Sequence, residues 1–488
     1  MSLSTTVKGI QDIMRKDAGV DGDAQRLSQL VWMLFLKIFE DSEADLELAR
    51  GDYQSPVPEA LRWRSWAANS EGITGEALLL FVQNTLFPTL KELPVAGRDP
   101  RALVVREVFG DANNYMKSGT LLRQVVNKIN EIDFNSSDDR HLFGDIYEQL
   151  LKSLQSAGNA GEFYTPRAVT QFMIERLDPK LDEGVFDPAC GTGGFLTCAL
   201  EHMRAQVKSD EDFAVWQNSV RGVEKKQLPH LLCTTNLMLH GIEVPLNVKR
   251  GNTLERPLRD YGDKDRVAVI AANPPFGGME EDGIEGNFPV TFRTRETADL
   301  FLVLIMHLLR KGGRGALVLP DGTLFGEGIK TRIKEKLLSE CNLHTIVRLP
   351  NGVFAPYTGI KTNLLFFQKG EPTKEVWFYE HPYPSGYKSY SKTKPIRIEE
   401  FEPERAWWHN RVESAQAWRV PVGDIVASGY NLDIKNPNAP KVGDADPQAL
   451  LDAYHDSASA LAQVRNRLKT ELMTALERTP ATEEAVMA

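Results

Sequence analysis

Val267-Ala268-Val269-Ile270-Ala271-Ala272-Asn273-Pro274-Pro275-Phe276 is the stretch that decides how this chain is read. Its first six residues form a short apolar run with several β-branched members, which predicts a strand buried on both faces of a sheet. Pro274 and Pro275 cannot continue a ladder. The chain must therefore leave the sheet at Asn273, holding the side-chain amide at the carboxyl end of the strand. Open α/β sheets bind their ligands at that end. Asn-Pro-Pro is also a common turn, so the flanking sequence has to decide between turn and site.

Upstream, Gly184-Val185-Phe186-Asp187-Pro188-Ala189-Cys190-Gly191-Thr192-Gly193-Gly194-Phe195-Leu196 reads as a strand, a glycine-rich turn and an apolar helix running to Val207. Glycines at such a junction let the backbone approach a ligand, and the helix behind them offers free N–H groups. Leu196 stands where the dinucleotide pattern G-x-G-x-x-G needs its third glycine, which disfavours a nicotinamide enzyme. The next strand, Arg221-Gly222-Val223-Glu224, ends in an acid where such folds offer a carboxylate to ribose hydroxyls. A helix over 228–240, a strand over 246–249 and the turn Gly251-Asn252 lead to the Asn273 strand. Helix 297–310, strand 315–319, helix 329–339 and strand 345–349 follow. This alternation predicts an α/β fold with a doubly wound, mostly parallel sheet. Two late strands, 362–368 and 376–379, lack room for crossover helices and are expected to be antiparallel. His307, inside an apolar helix, reads as a satisfied core histidine.

Residues 2–156 show helical periodicity and almost no strand signal. In 23–42, Leu27, Leu30, Val31, Leu34, Phe35 and Ile38 share one face, and 76–83, 117–132 and 141–154 behave alike. At Gly158-Asn159-Ala160-Gly161 the composition turns small. A helix follows, with Thr165 placed to cap it and Pro166 at its first position. Beyond Pro384 lysine and tyrosine alternate, as in an exposed ribbon or a phosphate-contacting surface, before Trp407, Trp408 and Trp418. Asn436-Pro437-Asn438-Ala439-Pro440 reads as a linker. A last helix over 446–478 carries Leu450, Leu451, Tyr454, Leu461, Val464, Leu468, Leu472 and Leu476 as a stripe that wants a partner helix. The expected organisation is a helical domain over 1–156, a catalytic domain over 157–440 and a helical docking tail over 441–488.

With 488 residues, 42% hydrophobic and 25% charged, the chain is ordinary globular material for several domains. A net charge of −10 argues against coating nucleic acid by bulk charge and points to a partner or a local basic groove. The four cysteines form no C-x-x-C pair, no metal-ligand spacing stands out, and no G-x-x-x-x-G-K-[ST] loop is present. No apolar run is long enough to span a bilayer and no targeting pattern opens the chain, so no membrane partner and a cytoplasmic location are expected.

The glycine loop after the first strand, Asn273 to Phe276 after the fourth, and Gly161-Glu162-Phe163-Tyr164-Thr165-Pro166-Arg167 upstream together resemble an S-adenosylmethionine-dependent amino-group DNA methyltransferase of the gamma motif order. Over nearly its whole length, including Gly429-Tyr430-Asn431-Leu432-Asp433-Ile434-Lys435-Asn436-Pro437, the chain resembles the modification subunit of type I restriction-modification enzymes. The resemblance implies a class I, Rossmann-like methyltransferase sheet. It implies S-adenosyl-L-methionine held by Glu162, Phe163, Tyr164, Thr165, Pro166, Arg167, Gly191, Thr192, Gly193, Gly194 and Asn252. Asp187 would face the methionine amino group and Glu224 the ribose. Asn273, Pro274, Pro275 and Phe276 would act on N6 of an adenine flipped out of double-stranded DNA. The implied partners are a specificity subunit, with two copies of this chain for each, and a restriction subunit. Asn-Pro-Pro with an aromatic also serves methyltransferases of RNA and of protein amides, but the long helical additions favour DNA. The intact motifs speak against a non-catalytic scaffold.

Overall fold

Every residue of β4, Val267–Ala272, is buried, and the strand lies inside a nine-stranded sheet ordered β3-β2-β1-β4-β5-β7-β6-β8-β9. The computed structural model describes residues 3–95, 100–134, 147, 164–355, 357–391, 393–439 and 447–477. These form two compact units, Met1–Asn436 and Pro437–Ala488. The strands are β1 Val185–Asp187, β2 Val220–Glu224, β3 Val248–Arg250, β4, β5 Leu309–Pro320, β6 Cys341–Arg348, β7 Thr362–Lys369, β8 Glu375–Glu380 and β9 Ala417–Pro421. Val269 and Ala271 of β4 enter one apolar core while Ile270 and Ala272 enter the other, as a two-residue side-chain period between two helical layers requires.

β1, β2, β3, β4 and β5 are paired in parallel. The chain builds outward from β1 through β2 to β3, then returns to lay β4 on the other side of β1. That reversal opens a crevice at the carboxyl ends of β1 and β4. The late strands depart in part from expectation. β7 is antiparallel to both β5 and β6, but β8 is parallel to β6. The short turn after β7 does reverse the chain, yet β8 settles beyond β6 rather than beside β7. Running opposite to β7, it necessarily runs with β6. β9 then closes that edge antiparallel to β8.

The stretch after Pro384 is a second departure, because its aromatics are core and not an exposed ribbon. Tyr390 is buried; its hydroxyl donates to Glu400 and lies 3.3 Å from His381 Nε2. Trp407 and Trp408 are buried too, and Trp418 stacks on Phe378 with ring centroids 5.4 Å apart. His307 has the partner expected of it, its Nε2 lying 3.0 Å from the Tyr261 carbonyl oxygen.

Helix Asp23–Ala49 buries Leu27, Leu30, Val31, Leu34, Phe35 and Ile38, the face its periodicity predicts. That core continues into helix Gln227–Leu239, whose Leu231, Leu232, Met238 and Leu239 join it, while Cys233 and Leu237 of the same helix join the core against the sheet. Packed from two sides, this helix is buried along its whole length from Pro229 to Leu239, including His230, Thr234, Thr235 and Asn236. The helix expected over 141–154 lies outside the described residues except for Tyr147, whose hydroxyl donates to the Leu232 carbonyl at 3.1 Å. The boundary expected at 156/157 also lies outside them.

Within the first unit, the segment from Gly429 to Asn436 is held by Leu432 N–H donating to the Leu324 carbonyl (3.0 Å), by Arg348 Nη1 donating to the Ile434 carbonyl (2.9 Å) and by an Arg348–Asp433 ion pair. In the second unit, helix Pro447–Glu477 leaves Leu451, Tyr454, Leu461, Val464, Leu468 and Leu472 exposed. Among the described residues no helix is long and apolar enough to cross a membrane.

Burial raises the Asp433 carboxyl, and the Arg348 guanidinium more than offsets it, leaving the group below its ordinary pKa. Its stabilising effect is therefore present at neutral pH and fades as the pH falls through that depressed value. Arg348→Met is expected to lower the unfolding free energy by about 2 kcal/mol at pH 7, with a smaller loss below about pH 4, as measured by urea titration.

Candidate active site

A cavity of about 230 Å³ opens at the carboxyl ends of β1 to β4, with Asp187, Glu224, Asn252 and Asn273 each contributed by a different strand end. The glycine loop forms its floor. Gly191 and Gly193 have φ of 53° and 84°, a left-handed backbone that favours glycine. A Cβ on Gly193 would also lie 2.7 Å from Cys233 Sγ, so this position excludes side chains twice over. Glu224 holds the loop in place. Its Oε2 accepts the Gly191 N–H at 2.9 Å and its Oε1 the Lys226 N–H at 2.7 Å.

Asp187 is 1% exposed, and among the described residues no cation pairs with it. Burial pushes its carboxyl up to about 8; the Ala189 N–H, 3.0 Å from Oδ1, opposes this and the nearby Glu224 adds to it. Such a group takes up a proton near neutrality unless a positive ligand arrives. Across the cavity, Asn273 Nδ2 donates to Thr165 Oγ1 at 3.0 Å, while its buried Oδ1 has no hydrogen-bond partner among the described residues. A buried acceptor in that state is set for an incoming donor. Thr165 thus spends its hydroxyl on Asn273 and does not cap the helix as expected; Pro166 is the capping residue of helix Arg167–Leu177.

The family model of N-6 DNA methylases matches residues 138–445, and that of the HsdM N-terminal domain matches residues 3–129. The chain belongs to the N-6 DNA methylase family. This methylase is 63% identical over 485 residues to the EcoEI type I restriction enzyme methylase subunit of Escherichia coli, covering 98% of this chain and 99% of that one. A crystal structure described as a modification subunit of a type I restriction enzyme from Vibrio vulnificus YJ016 superposes with a TM-score of 0.82 at 47% identity, over 91% of this chain and 98% of the other. A second solved chain, from work on complex assembly and conformational transition of a type I restriction-modification system, gives 0.81 at 37% identity over 97% and 98%.

In the methylase, the cavity brings together Thr165, Asp187, Gly191, Thr192, Gly194, Glu224, Asn252, Asn273 and Pro275. Other expected residues stand behind its walls. Tyr164 and Pro166 are buried, and Arg167 turns to Thr197 Oγ1 (2.9 Å) and to Glu201, pinning its helix to helix Gly194–Arg204. Gly193 packs on Cys233, Pro274 is buried, and half-buried Phe276 lies edge-on to Phe354 with centroids 6.3 Å apart. Glu162 and Phe163 lie outside the described residues. Asn252 is also the cap of a short turn, its Oδ1 accepting the Leu254 N–H at 3.0 Å. The sequence reading missed Lys225, Glu280 and Thr297, which also line the cavity. Lys225 directly follows the strand-ending acid and could have been marked for that reason. Glu280 sits in Met279-Glu280-Glu281-Asp282, where nothing in the sequence distinguishes the buried acid from its solvated neighbours.

Because the folded pKa of Asp187 lies above its unfolded value, the methylase without ligand loses stability as the pH rises from about 4 to about 8. Asp187→Asn should remove that penalty. We expect its ligand-free melting midpoint at pH 8.5 to exceed that of the wild type by about 2–4 °C, and the gain to vanish toward pH 4, as followed by calorimetry across pH.

Proposed function

We propose that this chain transfers a methyl group from S-adenosyl-L-methionine to N6 of an adenine flipped out of double-stranded DNA, as the methylase subunit of a type I restriction-modification complex. The observation that carries this reading is the unpartnered Asn273 Oδ1 opposite a buried, cation-seeking Asp187. One end of the cavity asks for a hydrogen-bond donor and the other for a positive charge. A target amine and the cofactor's ammonium meet those needs.

The residues fit that cofactor. Asp187 takes the methionine ammonium, Glu224 accepts the ribose hydroxyls, and the loop from Gly191 to Gly194 allows close backbone approach with Thr165 and Asn252 alongside. When bound, the cofactor supplies an electrophilic methyl group on a sulfonium. The protein's own task is to make an exocyclic amine nucleophilic, since its lone pair is delocalised into the base. Asn273 Oδ1 and the Pro274 carbonyl accept the two amine hydrogens, drawing the nitrogen toward tetrahedral geometry and aiming its lone pair. Phe276 stacks on the base, and Pro275 helps shape the wall beside it. A base paired in a duplex cannot reach such a cavity, so flipping is required.

Site recognition and cleavage are assigned to partners: a specificity subunit that gathers two copies of this chain, and a restriction subunit, all in the cytoplasm. The exposed apolar stripe of Pro447–Glu477 supports docking through the tail. The division into a helical domain over 1–156, a catalytic domain over 157–440 and a tail over 441–488 belongs to the same proposal.

Asn273→Ala in the assembled complex should lower kcat by about 10²-fold or more while leaving cofactor affinity near normal in calorimetry. Nucleoside mass spectrometry of DNA treated with the wild type should find N6-methyladenine; N4-methylcytosine would refute the base assignment. A chain ending at Pro440 should bind cofactor yet fail to co-purify with the specificity subunit, and recovery of the full complex would move the main interface elsewhere.

A further inference from the structure

Glu280 is a charged side chain only 9% exposed, on the loop that carries the chain away from Phe276, and neither the proposed chemistry nor the proposed cofactor contacts employ it. Three elements reach for its carboxylate. Asn252 Nδ2, from the end of β3, donates to Oε2 at 3.2 Å. Lys225 Nζ, just beyond β2, donates to the same oxygen at 3.4 Å. Thr297 Oγ1, at the start of helix Thr297–Leu308, lies 3.3 Å from Oε1. Asn252, Lys225 and Thr297 line the cavity together with Gly278, Met279 and Glu280 itself, so the carboxylate ties one wall of the cavity to the opposite one.

The backbone around it is held on the other side. Glu280 N–H donates to the Arg295 carbonyl at 2.8 Å and Thr297 N–H to the Gly278 carbonyl at 3.3 Å, and Met279 bridges Glu296. Between Phe276 and this anchor lies Gly277, with φ of 77°; Gly278 belongs to the anchor, its carbonyl accepting from the Thr297 N–H and hydroxyl. A glycine joint has little resistance of its own, so what holds the stretch from Gly278 to Glu280 bears on the position of Phe276.

We propose that Glu280 is a positioning residue: it clamps the loop after Phe276 to the ends of β2 and β3, so that the wall that presents Phe276 and the wall that holds the cofactor are one structure. A carboxylate suits this task. It accepts from Asn252 and Lys225, with the Thr297 hydroxyl shared between it and the Gly278 carbonyl (3.3 and 3.2 Å), and the partly exposed Lys225 offsets its charge, which it shares with Glu281 at 3.0 Å. The inference rests on reading Phe276 as the base-stacking residue.

The test uses the full chain assembled with its specificity subunit and compares Glu280→Ala, Glu280→Gln and Lys225→Met with the wild type. In Glu280→Ala, brief trypsin treatment should cut at Arg293 or Arg295 about tenfold faster. KM for duplex DNA should rise about tenfold with kcat within roughly twofold, and the melting midpoint should stay within about 2 °C. Glu280→Gln keeps one acceptor oxygen and should fall between. Lys225→Met, altering a side chain 42% exposed, should shift cleavage and KM the same way by a smaller factor, and it decides the matter if Glu280→Ala fails to fold. Wild-type cleavage and KM in both Glu280→Ala and Lys225→Met overturn the clamp, as does a drop in melting midpoint with KM unchanged. Failure of the functional reading would appear separately, as a wild-type complex without methyl transfer, and the protease arm would still report on the clamp.

Discussion

One residue fastens three strand ends. The Glu224 carboxylate accepts N–H groups from Gly191 and Lys226, and its backbone carbonyl accepts the Gly251 N–H at 2.9 Å, so the loops leaving β1, β2 and β3 are all tied to it. Buried carboxylates are costly unless their lone pairs are filled, and two amide donors held by the fold fill them without any loss of side-chain freedom at the moment of binding. The glycine loop owes its shape to this arrangement. Its left-handed residues carry no side chain that could hold them, and the turn is rigid because Glu224 grips it.

The charge pattern of the cavity follows from the same elements. Asp187, Glu224 and Glu280 are all buried or nearly so, and Lys225 is the cation nearest the last of them. The cavity is lined by Asp187, Glu224 and Glu280 but also by Lys225 and Lys226, and a chain of net charge −10 offers a phosphate backbone no bulk attraction. That separates two binding tasks. The cavity suits a positively charged cofactor, whereas affinity for DNA must come from surfaces away from it or from a partner. The raised pKa of Asp187 is the visible mark of a site whose counter-charge arrives with the ligand.

How much of this could be read beforehand follows from the range of the forces involved. β4, the glycine turn and the acid ending β2 are set by local rules, namely proline without a donor, glycine with positive φ and a continuous apolar run, and these operate within a few residues. The pairing of β8 was not legible. A short turn fixes the direction of the next strand but not its neighbour, and that choice rests on where Val376 and Phe378 enter the core that Ile346, Leu365 and Phe367 also build. Tyr390 among lysines looked exposed, because the Glu400 and His381 that satisfy its hydroxyl lie ten and nine positions away, beyond its polar neighbours. Thr165 in front of a proline looked like a cap; its real partner lies 108 positions away. Long-range side-chain bonds of this kind leave no periodicity to detect.

The helical region before the sheet bears on the site through helix Gln227–Leu239. Helix Gln227–Leu239 presents Leu231, Leu232, Met238 and Leu239 to the core built by Asp23–Ala49. On its other side Cys233 presses against Gly193, and Asn236 Nδ2 donates to the Thr192 carbonyl at 3.2 Å. A helix held between a rigid bundle and a glycine loop transmits position, since close-packed interiors do not absorb displacement. The N-terminal helices thus back the glycine loop: Glu224 fixes that loop from the strand ends, and the bundle fixes it from behind through Cys233 and Asn236. With both constraints acting on Gly191 to Gly194, a turn that is intrinsically free in backbone conformation becomes a preformed cradle.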